Sequence, residues 1–283
     1  MKEIDFKLDE CLIRLARLED EPDLKAIAKT IWEGGDYLPR VMREWILEPW
    51  FIVCEYQGRV IACIKLTMLP DKSLWFEGMR VHGNLQGRGI GKLMNRAAME
   101  YASRLASEHP GLRYEFSTYF LNHETLHLTS RMGFQQVESF HTLDKYGVRH
   151  LSEPDMITDP GMDIFDHFPH YLPVGWRTVR KHPDSLAYIR SHATVFATPR
   201  ARYLIGGHEN KDITILDPIP NDFRTELPYL QYFFGPKRKY SIIFPRSQAS
   251  KIASLKNLGF RDWDDNPDMK PEMLVFSMPA VSE

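Results

Sequence analysis

The chain has 283 residues, of which 43% are hydrophobic and 26% charged, a composition that is typical of a globular protein long enough for two domains. Its 36 basic and 38 acidic residues give a formal net charge of −2 without a long block of one sign, which argues against a nucleic-acid-binding surface. Three unevenly spaced cysteines without a CxxC pair argue against a disulfide framework and favour a reducing, cytoplasmic setting. The acidic N-terminus and the lack of an apolar run near 18 residues predict neither secretion nor a membrane partner.

Hydrophobic spacing in the first half of the chain predicts alternating strands and helices. Asp20 supplies a helix start with acids in the first turn, and Pro39 suits the first turn of a second helix because its missing N–H is not needed there. Apolar residues at helical spacing predict a long helix from Ile90. The predicted elements are a strand at 12–18, helices at 20–32 and from 36, antiparallel strands at 50–56, 60–69 and 74–81, the helix from 90, a strand at 112–120 and a helix at 122–132.

The second half of the chain repeats the pattern of the first in a weaker form. Tyr114 lies 19 residues before Gly133-Phe134, and Tyr240 lies 19 residues before Gly259-Phe260, with a strand, a loop and a helix predicted in each interval. Glycine after a helix is also a common C-cap, so the shared order and spacing, rather than the Gly-Phe pairs, indicate an internal duplication. Four prolines between residues 151 and 173 predict a linker there. The expected organisation is a domain at 1–150, a linker at 151–173 and a second domain at 174–283.

A glycine-rich loop lies between a predicted strand and the long helix. It reads Gln86-Gly87-Arg88-Gly89-Ile90-Gly91, and backbone N–H groups at such a helix N-terminus can converge on a phosphate, which the helix dipole also favours. Its spacing fits neither the Rossmann fingerprint nor the Walker A motif. Because so short a motif often arises by chance, its surroundings must decide its meaning.

A second motif points to different chemistry. Residues His123-Glu124-Thr125-Leu126-His127 form an HExxH pattern, which in zinc proteases supplies two ligands and a general base from one helix. The extended form of that motif needs Gly at 130 and His at 133, where this chain has Ser130 and Gly133. We therefore expect no metal, and two histidines on the surface of an ordinary helix.

Residues from about 12 to 145 resemble the GNAT superfamily of acyl-CoA-dependent N-acyltransferases. The family motif Gln/Arg-x-x-Gly-x-Gly/Ala starts at Gln86, five residues after the strand-ending Val81, and the later block of Asn and a helix ending in x-Gly-Phe is matched by Asn122 and Gly133-Phe134. The resemblance implies an α/β fold with a mixed sheet, in which acetyl-CoA lies in the split between the fourth and fifth strands. It assigns to acetyl-CoA the residues Met79, Arg80, Val81, Gln86, Gly87, Arg88, Gly89, Ile90, Gly91, Lys92 and Asn122.

The same resemblance bears on the general acid and on the second half of the chain. The family often has a tyrosine, which protonates the departing thiolate, where this sequence has Thr129. Thr129, Ser117 or water could serve instead, and a thiol leaves tolerably without help. The second half is then predicted to be a degenerate GNAT-like domain. Its phosphate loop would begin at 212–215, and the sequence there contains no glycine that could form an anion-binding loop.

A shorter similarity concerns the acceptor. The segment Asp36-Tyr37-Leu38-Pro39 with Trp45 is similar to the histidine N-acetyltransferase-like branch of the superfamily. That similarity implies that the acceptor is the α-amine of a free amino acid such as histidine, with Asp36, Tyr37 and Ser117 contacting the substrate. The alternative is that Tyr37, Leu38 and Trp45 are core residues of an amphipathic helix.

The alternation of side chains between the two faces of a strand indicates a candidate general base. If the strand at 74–81 alternates regularly, one face carries a single carboxylate, Glu77, among apolar neighbours close to the phosphate loop. Such a carboxylate would be suited to take a proton from the acceptor amine. Glu77 could instead pair with Lys65 or Arg80, and the role would then pass to Glu115 or water. The residues predicted to share this face are Trp75, Glu77, Met79 and Val81.

The sequence therefore predicts an acetyl-CoA-dependent amine acetyltransferase, with backbone N–H groups near Val81 stabilising the developing oxyanion. Two alternatives remain at this stage. One is an enzyme acting on a protein lysine or N-terminal amine, and the other is a non-catalytic acetyl-CoA sensor. The sequence also leaves open whether the second domain closes the site or forms a homodimer interface.

Overall fold

The chain divides into two compact units in a computed structural model that describes residues 6–147, 151–208, 211–234 and 238–280. The first unit comprises residues 1–68, 74–114 and 279–283, and the second comprises residues 69–73 and 115–278. The division differs from the expected domains 1–150 and 174–283, because the chain passes between the units within a strand. Within the described ranges, no helix is both long and apolar enough to cross a membrane.

The first unit is a sheet of antiparallel strands with helices. Its strands pair in the order β1-β2-β3-β4, each antiparallel to the next. Short turns connect β2 to β3 and β3 to β4, and such turns can join only antiparallel neighbours. Its elements are β1 (Leu12–Leu15), α1 (Glu21–Ala28), α2 (Leu38–Leu47), β2 (Phe51–Tyr56), β3 (Arg59–Met68), β4 (Ser73–Val81), α3 (Ile90–Glu108) and the start of β5 (Arg113–Tyr119).

Helix α2 forms where its sequence is amphipathic. Leu38, Val41, Met42 and Trp45 recur at helical spacing and are buried, while the intervening residues face away from the core. Pro39 occupies the first turn of the helix, as predicted. The buried face of α2 packs with that of α1 and with β2 and β3 in one hydrophobic core.

The first helix is shorter than expected. It ends at Ala28 rather than near Trp32, and a single 3-10 turn spans Trp32–Gly34. Trp32 and Glu33 have φ angles of 46° and 55° there, in the left-handed region that residues other than glycine seldom adopt. The Trp32 side chain is consequently turned out of the helix pattern and is 64% exposed.

The second unit contains a mixed sheet. Within this unit the strand order is β5-β14-β6-β13-β12-β11-β10-β7, with β12 and β13 parallel, and β8 and β9 form a separate hairpin. The mixed α/β architecture confirms the predicted fold class. The remaining elements are α4 (His123–Met132), β6 (Gln135–Tyr146), β7 (Asp155–Ile157), β8 (Tyr171–Val174), β9 (Arg177–Arg180), α5 (Ser185–His192), β10 (Thr194–Ala197), β11 (Arg202–Gly206), β12 (Asp212–Ile215), α6 (Leu227–Gln231), β13 (Lys239–Pro245), α7 (Ile252–Asn257) and β14 (Met273–Pro279).

The same order of elements occurs twice along the chain. The succession β4, loop, α3, β5, α4, β6 is followed by β12, loop, α6, β13, α7, β14. In the sheet, β14 lies between β5 and β6, and β6 lies between β14 and β13. The strand that follows the last helix of each repeat is thus inserted beside strands of the other repeat. This exchange explains why the unit boundary falls inside β5 and not at the end of the first repeat.

The segment expected to be a linker is part of the folded core. Residues 151–173 include β7, a 3-10 turn at Met162–Phe165 and the first residues of β8. Ile164, Phe165 and Phe168 are each at most 1% exposed. The prolines of this segment separate short elements whose apolar side chains are buried, so the segment is not a free connector.

Candidate active site

Strand β4 carries a β-bulge. The pairing register places Cys63 of β3 opposite Arg80 and Lys65 opposite Glu77, so that Gly78 and Met79 together oppose the single residue between Cys63 and Lys65. Gly78 has a φ of +67°, and a Cβ on it would lie 2.4 Å from Cζ3 of Trp45. The bulge therefore needs glycine for its backbone angle and for the close approach of the indole ring.

The bulge corrects the expected face of this strand. Residues directly opposite each other in an antiparallel pair share a face, and Cys63 and Lys65 lie on one face of β3. Glu77 consequently shares its face with Arg80 across the bulge. The expectation that Met79 and Val81 accompany Glu77 is wrong, because the extra residue reverses the alternation after Gly78.

Arg80 organises the charged part of this face. Its Nε and Nη2 donate to the two carboxylate oxygens of Asp36 at 2.8 and 3.1 Å, and Nη1 donates to the Met79 carbonyl at 2.9 Å. The guanidinium carbon lies 4.6 Å from the ring centre of Trp32 and 5.2 Å from that of Tyr37. Asp36 is buried and also accepts from the Leu38 amide. The structure thus brings together Asp36, Tyr37 and Arg80, which the sequence analysis had assigned to substrate and cofactor separately.

The hydroxyl of Tyr37 is protonated at neutral pH. Burial raises the pKa of Tyr37 to about 12, although the nearby Arg80 guanidinium opposes that shift.

Trp32 was not anticipated as part of the cluster around Arg80, since the sequence analysis assigned its position to a helix. Its neighbour Gly34-Gly35 was the available signal that the helix ends earlier.

Glu77 has partners on β3. Its Oε1 accepts a hydrogen bond from Thr67 Oγ1 at 2.7 Å. Lys65 lies opposite in the register, and its ammonium group, which is almost fully buried, contacts Glu48 at 3.1 Å and the Pro49 carbonyl at 2.7 Å. Glu77 as a residue is partly exposed. Thr67 is a contact that the sequence analysis missed.

Glu115, the alternative base, is enclosed within the second unit. It is 0% exposed and accepts hydrogen bonds from Ser73 at 2.8 Å, Tyr171 at 2.8 Å and Ser277 at 2.9 Å. Burial raises the pKa of Glu115, against the effect of these three donors. Glu115 has no exposed surface through which a bound amine could reach its carboxylate directly.

The glycine-rich loop forms a cradle at the start of α3. Gly87 and Gly89 have φ angles of +75° and +84°, and α3 begins at the next residue, Ile90. The N–H groups of a helix's first turn have no partner within the helix, so those of Ile90, Gly91 and Lys92 are available to an anion. A Cβ on Gly87 would meet nothing within 4 Å, whereas a Cβ on Gly89 would lie 3.4 Å from Cδ2 of Leu8, so the open space lies at Gly87. The Gln86 side chain donates to the Val81 carbonyl at 3.2 Å and ties the loop to the end of β4.

The exposed side chains of this loop are basic. Arg88 and Lys92 are both exposed, and Arg88 lies 6.0 Å from the ring centre of Phe6. Left-handed glycines, helix N–H groups and two cations make the donor set that a pyrophosphate needs. The residues therefore fit the phosphate groups of a CoA ester.

The other predicted site residues belong to the second unit. Asn122 precedes α4 and accepts a hydrogen bond from the Thr125 amide at 3.2 Å, so it caps that helix. Thr129 is buried, and its hydroxyl donates to the Thr125 carbonyl at 2.6 Å. The Ser117 hydroxyl donates to the carbonyl of Trp176. The roles predicted for Asn122, Thr129 and Ser117 in binding and catalysis stay predictions.

The histidines of the HExxH pattern lie on the exposed surface of α4. His123, Glu124 and His127 are all exposed. Among the residues that the structure describes, no group of three His, Cys, Asp or Glu side chains could hold a metal ion. The irrelevance of metal to the reaction stays a prediction.

The second repeat has an open pocket where its phosphate loop would lie. The loop after β12 contains Pro218 and Pro220, which lack N–H groups and cannot contribute to an anion cradle. The pocket has a volume of about 520 Å³. It is lined by His167, Pro218, Ile219, Pro220, Asn221, Ser247, Gln248, Ser250 and Lys251.

Comparison with known proteins identifies the family. Residues 17–134 match the sequence model of the acetyltransferase (GNAT) family. This stretch, which is less than half of the chain, is similar in sequence to GNAT-type acetyltransferases. The matched region contains β4 with its bulge and the glycine-rich loop, and it ends at Phe134 of the predicted Gly-Phe pair. This confirms the predicted superfamily and the enzyme class, whereas the match does not select the histidine N-acetyltransferase-like branch.

Solved structures resemble this chain over nearly its whole length. A protein of Thermoplasma acidophilum assigned as an acetyltransferase has 15% identity and a TM-score of 0.61, covering 95% of this chain and 99% of its own. A similarly assigned protein of Pyrococcus horikoshii has 13% identity and a TM-score of 0.62, covering 99% and 93%. A GCN5-related N-acetyltransferase of Sphaerobacter thermophilus has 12% identity and a TM-score of 0.59, covering 96% of each chain. At these identities the likeness shows the fold alone, and no curated protein sequence matches the chain.

Proposed function

We propose that this GNAT-type acetyltransferase moves the acetyl group of acetyl-CoA to a primary amine, with Glu77 as general base. The observation that carries the proposal is the bulge at Gly78, which lies between Glu77 and Arg80 and leads directly into the phosphate loop. Bulges beside active sites redirect side chains in this way. Acetyl-CoA, when bound, supplies an acetyl group activated as a thioester.

The loop after β4 would hold the pyrophosphate. The amides of Gly87 to Lys92 and the side chains of Arg88 and Lys92 provide hydrogen bonds and positive charge. Met79, Arg80 and Val81 offer the adjacent strand backbone to the extended arm of the cofactor.

Glu77 would take the proton of the acceptor. A primary amine is mostly protonated at neutral pH and must lose a proton before it can attack. The Thr67 hydroxyl holds one carboxylate oxygen at 2.7 Å and fixes the orientation of the group.

The acceptor proposed within this class is the α-amine of a free amino acid such as histidine. Its support is the similarity of the segment at 36–39, and the position of Asp36 and Tyr37 around Arg80 on the face that Glu77 also occupies. A pocket surface made of a charged pair, Asp36 and Arg80, and the aromatic ring of Tyr37 suits a small molecule with both a charged and an apolar part.

Replacement of Glu77 tests the base. Glu77→Gln keeps the shape of the side chain, so kcat should fall by about 10² or more while the Kd for acetyl-CoA stays unchanged. Glu100→Gln on α3, whose side chain is 62% exposed, is the matched control and should keep normal kcat. A Glu77→Gln enzyme with near-normal kcat and an unchanged acidic limb in its pH profile would refute the assignment.

A thiol-release assay tests the acceptor. The twenty amino acids, polyamines and short peptides with a free N-terminus are compared at equal concentration with acetyl-CoA. Turnover with free amino acids supports the proposal, and turnover with peptides alone would move the chain to the protein-modifying class. Acetyl-CoA binding by calorimetry without turnover on any amine would indicate a sensor.

A further inference from the structure

Aromatic rings in the second unit form a chain that reaches solvent. The ring centre of Trp263 lies 5.5 Å from that of Tyr119 and 5.0 Å from that of Trp176, with interplanar angles of 33° and 34°. Trp263 is 40% exposed, whereas Trp45 and Trp75 are 2% exposed. Trp263 thus contacts two other rings and still leaves part of its indole accessible to a ligand.

A carboxylate accompanies these rings. The Tyr119 hydroxyl donates to Asp264 at 2.8 Å, so this acid is held at the edge of the ring chain. Asp262 and Asp268, on the same loop, are paired with Lys256 and Lys270 instead. Burial, and after it the hydrogen bond to Asp264 and the charge of that acid, raises the pKa of Tyr119, which therefore stays a neutral donor to Asp264.

The loop that carries Trp263 is anchored to the sheet. The side-chain amide of Asn266, which is buried, donates to Glu272 at 2.8 Å and to the Lys270 carbonyl at 2.8 Å, and its oxygen accepts from the Lys270 amide at 3.0 Å. Glu272, also buried, accepts from the Thr142 amide of β6 at 2.9 Å. The rings are therefore presented by a fixed loop, and little conformational freedom would be lost on binding a ligand.

Trp176 is fixed as well. It follows β8 at the turn into β9, and its carbonyl accepts from the Ser117 hydroxyl of β5. Tyr119 is the last residue of the same strand. The rings thus come from separate segments that the sheet and its hydrogen bonds bring together.

We propose that Tyr119, Trp176, Trp263 and Asp264 form a binding site for an organic cation that carries an ammonium or guanidinium group. Aromatic faces attract such cations through the ring quadrupole, most strongly at tryptophan, and a neighbouring carboxylate adds charge attraction. The inference does not depend on the acetyl-transfer proposal, because it concerns binding to the free protein.

Calorimetry on the full chain with choline and methylguanidinium as probes tests the site. Choline is compared with 3,3-dimethyl-1-butanol, which has the same shape without the charge. We expect the charged probes to bind and the neutral one to bind at least about tenfold more weakly, since the ring quadrupole and Asp264 act on charge. Equal affinity for choline and its neutral analogue, or no binding of either cation at ten millimolar, would overturn the proposal.

Variants locate the binding. Trp263→Leu should weaken choline binding about tenfold, Trp263→Phe should retain most of it because a ring face remains, and Asp264→Asn should weaken it about threefold or more. Tyr146→Leu removes an aromatic residue of the second unit that is 67% exposed, and it should leave the affinity unchanged. Thermal unfolding checks that each variant is folded. Unchanged affinity in a folded Trp263→Leu protein would refute the assignment.

Discussion

Adding one methyl group at Gly78 should destabilise the first unit and disturb the face that holds Glu77. Gly78→Ala places a Cβ in a backbone conformation with a φ of +67°, for which about 1 kcal/mol is typical. The same atom would lie 2.4 Å from Cζ3 and 2.7 Å from Cη2 of Trp45. Trp45 is 2% exposed and packs edge-on against Phe51 at 5.5 Å, so its ring has little room to move. Overpacking of this kind adds about 1 to 3 kcal/mol.

The expected loss in the free energy of unfolding is therefore about 2 to 4 kcal/mol, measured by denaturant titration. Gly58→Ala is the matched control, because Gly58 has a φ of +76° and its Cβ would meet nothing within 4 Å. That variant should lose only about 1 kcal/mol. In a Trp45→Leu background the further effect of Gly78→Ala should fall to the level of the Gly58 control.

Equal losses for Gly78→Ala and Gly58→Ala would refute this reasoning, because the contact with Trp45 would then contribute nothing. An activity measurement adds a second criterion. If the bulge sets the position of Glu77 relative to Arg80, Gly78→Ala should lower kcat at temperatures where the protein is still folded, and Gly58→Ala should not.

The remaining predictions concern the loop, the helix histidines and the buried acid. Gly89→Val should weaken acetyl-CoA binding by more than about tenfold in calorimetry, whereas Gly111→Val, at the same φ of +84° but outside the loop, should not. Replacing both His123 and His127 with Ala should leave kcat within about tenfold, whereas loss of a required zinc ligand would abolish turnover. Because burial raises the pKa of Glu115, folding favours its protonated form, so the stability of the wild type relative to Glu115→Gln should rise as the pH is lowered towards the ordinary pKa of a glutamate. A pH-independent difference in unfolding free energy would contradict that prediction.

Local signals in the sequence predicted the elements well where neighbouring residues alone decide them. The start of α2 with Pro39 in its first turn and the start of α3 at Ile90 follow from proline, glycine and apolar spacing, and the structure has both. The glycine-rich loop before α3 was also predictable, because its glycines precede the helix directly. The position of β14 between β5 and β6 could not be predicted from the sequence, since this pairing joins residues that are far apart in the chain and no local pattern encodes it.

The bulge in β4 shows where regular alternation gives a wrong site. Counting every second residue placed Met79 and Val81 beside Glu77, whereas the structure places Arg80 there. The signal was present, because glycine inside an apolar strand often marks a bulge. The sequence pattern alone, however, does not distinguish a bulge at Gly78 from an ordinary glycine in a strand. What distinguishes them is the close contact with the Trp45 ring, on a helix that lies more than 30 residues earlier. The position of Glu77 relative to Arg80 therefore depends on packing between elements, and a single glycine that permits this packing decides which side chains share a face.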